Sequence, residues 1–314
     1  PIFATVALVV QPGDKVVYPV PSWNNQHYAH IAGAVAVKVA CGPETNFLPT
    51  AEMLRDKLDG ATLLCLNSPL NPTGTVFSRE QLGAICDLVL EVNAAREAEG
   101  RRPLMVMYDQ VYWMLTFGGA DHVTPPGLRP AMARYTFFVD AISKSFAATG
   151  LRVGWGVIPE ALAEPYRAYV GHMGAWAPKA EQLATAALLD DVAAVTRYHA
   201  EMRGGLEARL QALHSGLSAM RAAGLPADSI APQGAIYLTG RFDIAGRTWG
   251  DRVIRTDEDV RAFLLDEAGF GVVPLSAFGS SDVVGWVRLS VGAVDLAAIR
   301  EGLSRIEAAL RRLT

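Results

Sequence analysis

The most constraining feature of the chain is an alternation. Short runs rich in apolar and β-branched residues recur between longer stretches of helical character. The runs are DKVVYP (14–19), VAVKVA (35–40), TLLCLN (62–67), LMVMYD (104–109), YTFFVD (135–140) and RVGWGVI (152–158). Helix-like segments fall at roughly 23–33, 50–58, 78–97 and 128–133, the third opened by Ser78 and Gln81 at capping-box spacing. Strands that are apolar throughout must be covered on both faces, so this rhythm predicts an α/β fold with a mainly parallel sheet flanked by helices. Ligands of such sheets bind beyond the carboxyl ends of the strands. Asn67, Asn71, Asp109 and the stretch from Asp140 to Lys144 fall there.

The rhythm changes further along. Residues 178–222 read as helix, rich in Ala, Leu and Arg, and Gly224-Leu225-Pro226 ends them. Then come GAIYLTG (234–240), a helix near 256–267, FGVVP (270–274 with its leading Phe), WVRLS (286–290) and a helix at 294–311. This predicts a large domain over residues 1–205 and a smaller α+β carboxy-terminal domain over 206–314, entered through the long helix. No internal repeat or low-complexity tract interrupts the pattern.

Composition narrows the partners. Of 314 residues, 51% are hydrophobic and 19% charged, which excludes a disordered tail. Lys and Arg number 28 against 32 Asp and Glu, a net charge of −4 that argues against a nucleic-acid or membrane-coating surface and for small ligands. Cys41, Cys65 and Cys86 have neither CxxC nor zinc spacing, so no metal site is expected and a reducing, cytoplasmic compartment is the simple reading. The opening PIFATVALVV is apolar, but it lacks a basic leader and runs into Pro12-Gly13-Asp14. No uncharged apolar run reaches the ~18–20 residues of a membrane span.

Four places could carry chemistry. Asn71-Pro72-Thr73-Gly74 follows TLLCLN; Pro and Gly fix a turn that would hold the Asn71 amide over the sheet edge, although an ordinary turn reads the same. Asp109 closes LMVMYD, with Tyr112 three residues on. A strand ending in Asp also suits a phosphate-loop nucleotidase, but Lys144-Ser145 is preceded by FVDAIS with no glycine. Lys144 follows an apolar strand, either as a snorkelling surface lysine or as a partly desolvated, nucleophilic amine. Arg288 lies in WVRLS, where a guanidinium either makes a structural ion pair or clamps a carboxylate. His27 and His30 lie near Trp23 and read as packed or solvated. His122, His172, His199 and His214 have no spaced partners, Tyr135 and Phe137 read as core, and Arg300, Arg305, Arg311 and Arg312 read as a solvated helix face.

Taken in order, PGDKVVYPVPSW, NSPLNPTG, YDQVY, SKSFAATGLRVGW, GVVPLSAFG and WVRLS resemble the fold-type I pyridoxal-phosphate enzymes, specifically the class I/II aminotransferases related to aspartate aminotransferase. The most specific element is S-K-x-F-x-x-x-G-x-R-x-G, its arginine eight residues after the lysine. The resemblance spans nearly the whole chain. It implies a cofactor, pyridoxal 5'-phosphate, in Schiff-base linkage to Lys144, whose freed amine shuttles a proton. Asp109 would face the pyridine nitrogen. Tyr112 and Asn71 would hydrogen-bond the 3' oxygen, and Trp23 would stack on the ring. Arg152, with Ser143, would bind the phosphate, and Arg288, assisted by Asn71, would take the substrate α-carboxylate.

The implied activity is a ping-pong amino transfer from an L-amino acid to a 2-oxo acid by a homodimer with its site at the interface. The segment His172 to Gln182 is a candidate contributor from the neighbour. A lyase, decarboxylase or racemase on the same scaffold, and a catalytically silent ligand-sensing member, share these motifs. Two departures stand out. The family places a hydroxyl or amide two or three residues before the lysine, where this chain has Ile142 and Ala141. The family is also longer at its amino end, so the resemblance implies that an upstream segment with a phosphate-holding glycine loop is absent and that Pro1 lies in the helix just past it.

Overall fold

The computed structural model describes residues 1–174, 176–280 and 284–313. The large sheet contains β1 (Lys15–Val20), β2 (Val35–Ala40), β3 (Ala61–Asn67), β4 (Met105–Asp109), β5 (Thr136–Ala141) and β6 (Gly154–Val157). Their spatial order is β2-β1-β3-β4-β5-β6; all pairs are parallel except β5 with β6. The mainly parallel α/β sheet expected from the sequence is therefore present, with one reversed edge strand. Helices α1 (Ile2–Val9), α2 (Asn25–Ile31), α3 (Ala51–Arg55), α4 (Arg79–Ala98), α5 (Pro125–Leu128), α6 (Ile142–Ser145) and α7 (Ala163–Met173) connect and cover it.

Period-two alternation decides what each face carries. Leu64, Leu66, Val106 and Tyr108 point to one side and pack under α4 with Leu82, Ile85 and Val89. Leu63, Cys65, Met105 and Met107 point to the other and pack with Ala4, Val6 and Val9 of α1 and Tyr166 of α7. Continuing the second set along the strands reaches Asn67 and Asp109, which are register partners at the carboxyl ends of β3 and β4. The apolar opening segment is thus a core-packing helix, and its hydrophobicity is explained by burial against the sheet.

Beyond the sheet, α8 (Lys179–Asp190) and α9 (Val192–Ala222) replace the single helix expected over 178–222. Asp191 breaks the run and then caps α9, its carboxylate accepting from the Ala194 N–H. The second sheet joins β7 (Ala227–Ser229) and β8 (Tyr237–Phe242) to two later strands. A small ribbon of β9 (Thr248–Trp249) and β10 (Arg252–Val253), then α10 (Asp257–Ala268), precede β11 (Val273–Pro274), β12 (Trp286–Ser290) and α11 (Leu296–Arg312). The order β11-β12-β8-β7 is antiparallel throughout. On α11, Ile299, Leu303, Ile306 and Leu310 face its core at helical spacing, while Arg305 and Arg311 pair with Glu301 and Glu307 on the wet side.

Several local expectations need correction. Ser78 does cap α4 by accepting from the Gln81 N–H, but the Gln81 side chain donates to the Leu48 and Pro49 carbonyls instead of closing the box. The segment 128–133 forms the end of α5 and a 3-10 turn at Pro130–Arg134. The strand expected over 234–240 begins at Tyr237, because Ala235 adopts φ 59° and Gly234 bridges to Thr116. His122 and His214, without spaced partners in the sequence, make ordinary hydrogen bonds to Gln110 and Ser229, in keeping with a packed role.

Candidate active site

A cavity of about 700 Å³ opens at the carboxyl ends of β3, β4 and β5. Trp23, Asn71, Asp109, Tyr112, Ser143, Lys144, Arg152 and Arg288 all line it, so the structure brings together every site residue expected from the sequence. Those residues come from both sheets and span more than 260 positions of the chain.

The turn after β3 is built first. Asn67 donates through Nδ2 to the Asp109 carbonyl at 2.8 Å and accepts the Asn71 N–H at 2.8 Å, tying the turn to the end of β4. Gly74 sits at φ 71°, and a Cβ there would collide with the Tyr237 and Gly234 carbonyl oxygens. Only glycine lets this turn dock against β8, where Thr239 Oγ1 donates to the Thr73 carbonyl at 2.8 Å. Docking carries the buried Asn71 side chain to Arg288, whose Nη1 donates to Asn71 Oδ1 at 3.0 Å.

Arg288 follows the alternation of β12: Val287 and Leu289 are buried on one face and the guanidinium turns to the other. There it lies 4.6 Å from the Tyr237 ring centroid and 4.9 Å from that of Phe278. Aromatic faces attract a weakly hydrated cation and hold its plane. Arg288 Nε is buried without a hydrogen-bond partner among the described residues. A guanidinium held on its flanks and left with unused donors is shaped for an incoming carboxylate. Tyr237 also accepts or donates a 2.8 Å bond with the Tyr112 hydroxyl, and burial, reinforced by Tyr237, pushes the Tyr112 phenol above its ordinary range. Tyr112 therefore remains a protonated donor.

On the acid side, burial pushes the Asp109 carboxyl up to about 6; the Val111 N–H, donated to Oδ1 at 3.0 Å, pulls the other way, and neighbouring Asp140 adds to the rise. Neither carboxylate has a salt-bridge partner among the described residues. Such an acid is a ready partner for a protonated ring nitrogen, which would favour its ionised form. Lys144, lining the same cavity, lies on α6, the single turn that follows β5, and has no ion-pair partner among the described residues. Thr149 Oγ1 donates to the Ser143 carbonyl at 2.9 Å, and Arg152, at φ 58°, donates through Nη1 to the Thr149 carbonyl at 2.8 Å. Trp23 is half exposed at the rim, its ring 6.1 Å from Phe278.

Sequence reasoning missed Tyr237, Tyr28 and Thr149 as cavity residues and gave Phe278 no role. Thr149 lay within the quoted lysine motif. Tyr237 is 125 residues from the hydroxyl it bonds, and its only hint was an aromatic in a strand preceding the arginine strand.

The residues fit pyridoxal phosphate. An enclosed acid, a lysine amine, an arginine with free donors and a volume within the usual range for small-molecule sites converge here. No group of His, Cys, Asp and Glu among the described residues is arranged to hold a metal ion.

Known proteins share the sequence pattern and fold of this chain along its length. The chain is 30% identical to an aspartate aminotransferase of Rhizobium meliloti over 318 residues, covering all of this chain and 72% of that one. It is 29% identical to an aspartate/prephenate aminotransferase of Cereibacter sphaeroides, with 98% of this chain and 73% of that one covered. Among solved structures, the Rhizobium meliloti aspartate aminotransferase superposes with TM-score 0.86 at 28% identity, covering 100% of this chain and 74% of that one. The aromatic aminotransferase of Pyrococcus horikoshii superposes with TM-score 0.84 at 29% identity, covering 98% and 76%. The model of the aminotransferase class I and II family matches residues 2–306, and the chain belongs to that family.

Proposed function

We propose that Lys144, Asp109, Tyr112, Asn71, Trp23, Ser143, Arg152 and Arg288 form the cofactor and substrate site of this pyridoxal-phosphate-dependent aminotransferase. When bound, pyridoxal phosphate supplies an aldehyde that captures amines and a ring that withdraws electrons from the substrate Cα. The chain's own residues then divide the work. Asp109 holds the proton on the ring nitrogen. Tyr112 and Asn71 Nδ2 donate to the ring hydroxyl oxygen, and Trp23 covers one ring face. Arg152 binds the phosphate with Ser143 beside it. Arg288 clamps the α-carboxylate of the L-amino acid or 2-oxo acid, which fixes the bond at Cα that is presented to Lys144. Lys144 Nζ would carry the proton between the substrate Cα and the carbon of the cofactor that bears the aldehyde.

The observation that carries this assignment is the convergence of Lys144, Asp109, Arg152 and Arg288 on one cavity. The test is direct. Lys144→Ala lowers amino transfer about 10³-fold or more and removes the visible absorption of the bound cofactor, whereas a surface variant such as Lys57→Ala does neither. Equal activity in Lys144→Ala refutes the assignment. Release of ammonia or carbon dioxide by the wild-type protein without a 2-oxo acid acceptor replaces it with a lyase or decarboxylase.

Three further readings accompany it. The large domain ends at 205 and the small domain begins at 206; Leu206 is the first fully buried α9 residue of the second core, beside Leu210 and Leu213. The protein acts as a homodimer, and exposed Trp176, Leu183 and Val192 near the expected contributing segment support this; Ala175 within it lies outside the described residues. The compartment is cytoplasmic: the three cysteines are free and buried. No helix among the described residues is long and apolar enough to cross a membrane.

A further inference from the structure

Asp140 follows Val139, the register partner of Asp109, so its side chain leaves the opposite face of the sheet. It is only 5% exposed. On that face the segment leaving β4 doubles back. Asp140 Oδ2 accepts the Trp113 indole N–H at 2.8 Å, and Oδ1 accepts the Ala141 N–H at 2.7 Å. The Trp113 ring lies 6.2 Å from His122, whose Nε2 pairs with Gln110 Oε1 at 3.3 Å. The returning end is pinned where the Tyr108 hydroxyl donates to the Val123 carbonyl at 2.7 Å. The Gln110–His122 and Tyr108–Val123 bonds are internal to β4 and its own loop, while the Gln110 backbone N–H donates to the Val139 carbonyl of β5 at 3.0 Å.

The side chains that tie this segment to the lysine element are different. Asp140 stands four residues before Lys144 and holds Trp113. Ser145 stands one residue after Lys144, and its hydroxyl donates to the Val111 carbonyl at 3.3 Å. Between Val111 and Trp113 lies Tyr112. The acid and phenol of the cavity are therefore fastened to the strand and turn that carry the amine, and Asp140 makes the shorter of the two bonds.

We propose that Asp140 is a positioning residue of the active site: by accepting the Trp113 indole N–H it locks Asp109 and Tyr112 in register with Lys144 across one bound cofactor. This rests on the reading of Asp109, Tyr112 and Lys144 given above. A carboxylate accepting from an indole makes a charge-assisted bond, and its low exposure keeps water from competing for the indole. A loop that is free to drift by an ångström costs an enzyme heavily, since reacting groups must meet at fixed distances.

The test uses Asp140→Ala, Asp140→Asn, Trp113→Phe and the double variant Asp140→Ala/Trp113→Phe. Asp140→Ala weakens pyridoxal phosphate binding about tenfold and lowers kcat by a similar factor, with little change in KM for the amino donor. Trp113→Phe moves both in the same direction, by no more than Asp140→Ala. The double variant is no worse than Asp140→Ala alone, because the indole bond that Trp113→Phe removes is already lost there, together with the bond from the Ala141 N–H. Asparagine keeps one accepting oxygen, enough for the indole N–H but not for the Ala141 N–H as well, so Asp140→Asn recovers part of the cofactor affinity that Asp140→Ala loses. A second readout is independent of turnover. In cofactor-free protein the Trp113 indole proton exchanges slowly with solvent, and in Asp140→Ala it exchanges fast. Asp140→Asn as impaired as Asp140→Ala, additive losses in the double variant, or wild-type affinity in Asp140→Ala each overturns the proposal. Fast indole exchange in the wild type does so even if the aminotransferase reading stands. Failure of the wild type to bind the cofactor, with the indole proton protected as expected, overturns that reading instead.

Discussion

The two ends of the cavity are held by different physics. At the Arg288 end the protein finishes its own construction. The guanidinium lies between Tyr237 and Phe278, Asn71 fixes one nitrogen, and Tyr112 and Tyr237 bond each other with almost no exposure. At the Lys144 end the side chains are half-buried or exposed, and the turn from Lys144 to Arg152 includes two non-glycine residues at positive φ, Ala147 at 49° and Arg152 at 58°. Left-handed backbone at such residues costs of order 1 kcal/mol each. One end is preorganised for a small carboxylate that comes and goes. The other holds strain and open donors that a resident phosphate would satisfy.

The largest effect that could break this comparison is at the preorganised end. Arg288→Leu removes a charge-assisted clamp and leaves Asn71 Oδ1 without its donor. The expected result is a fall in kcat/KM of roughly 100-fold, carried mainly by KM and equal for donors with different side chains, because all share the α-carboxylate. Steady-state kinetics on one acidic, one aliphatic and one aromatic donor checks it. A defect confined to the acidic donor moves Arg288 to side-chain recognition.

Next comes the strained end. Arg152→Gly deletes the guanidinium and relieves the left-handed backbone together. Affinity for pyridoxal phosphate falls about tenfold, while the cofactor-free protein gains about 1 kcal/mol in urea unfolding. Pyridoxal without its phosphate binds wild type and variant alike. Equal losses for both ligands remove the phosphate from the contacts of Arg152.

Between the ends lies Asp109, which tests whether the middle is costly to the empty protein. Its carboxyl is pushed up to about 6, as is that of Asp140, each chiefly by burial. An acid whose folded pKa exceeds its unfolded one keeps its proton in the folded state while the unfolded chain loses it. Stability is therefore greatest below the ordinary carboxylate range, falls as pH rises toward 6, and levels off above it. Asp109→Asn in cofactor-free protein flattens this decline and is more stable than wild type at pH 7.5 by about 1–3 kcal/mol, with no gain near pH 4. Urea midpoints at the two pH values check it, and parallel curves for the two proteins refute it.

How much of this was readable depends on the range of the interactions. The sheet was legible because its inner strands, such as TLLCLN and LMVMYD, are buried on both faces and carry their own signal, whereas the edge strands β2 and β6 are largely exposed. Lys144, Asp109 and Arg152 were legible because strand ends and turns put chemistry at fixed local spacing. What stayed hidden is contact between distant segments. Nothing near residue 237 announces a bond to residue 112, and nothing near Gly74 announces that it must pass under β8. The break at Asp191 was missed for the opposite reason: an Ala- and Leu-rich run masked one capping residue.

Tyr237 supplies the smallest and sharpest probe of the preorganised end. Its hydroxyl is the only described side-chain partner of the Tyr112 hydroxyl, and its ring is one of the two beneath Arg288. Tyr237→Phe keeps the ring and removes only the hydroxyl, so Arg288 holds its place and KM for the amino donor stays close to wild type. What changes is Tyr112, which loses one neutral hydrogen bond worth about 1 kcal/mol. Cofactor affinity then falls a few-fold. Because Tyr112→Phe destroys the same bond from the other side, the double variant loses less than the sum of the singles, by about 1 kcal/mol in a double-mutant cycle on cofactor affinity. Additive losses there mean that the two phenols are neighbours without being partners. A large rise in KM for Tyr237→Phe alone means that the hydroxyl, and not the ring, keeps Arg288 in place.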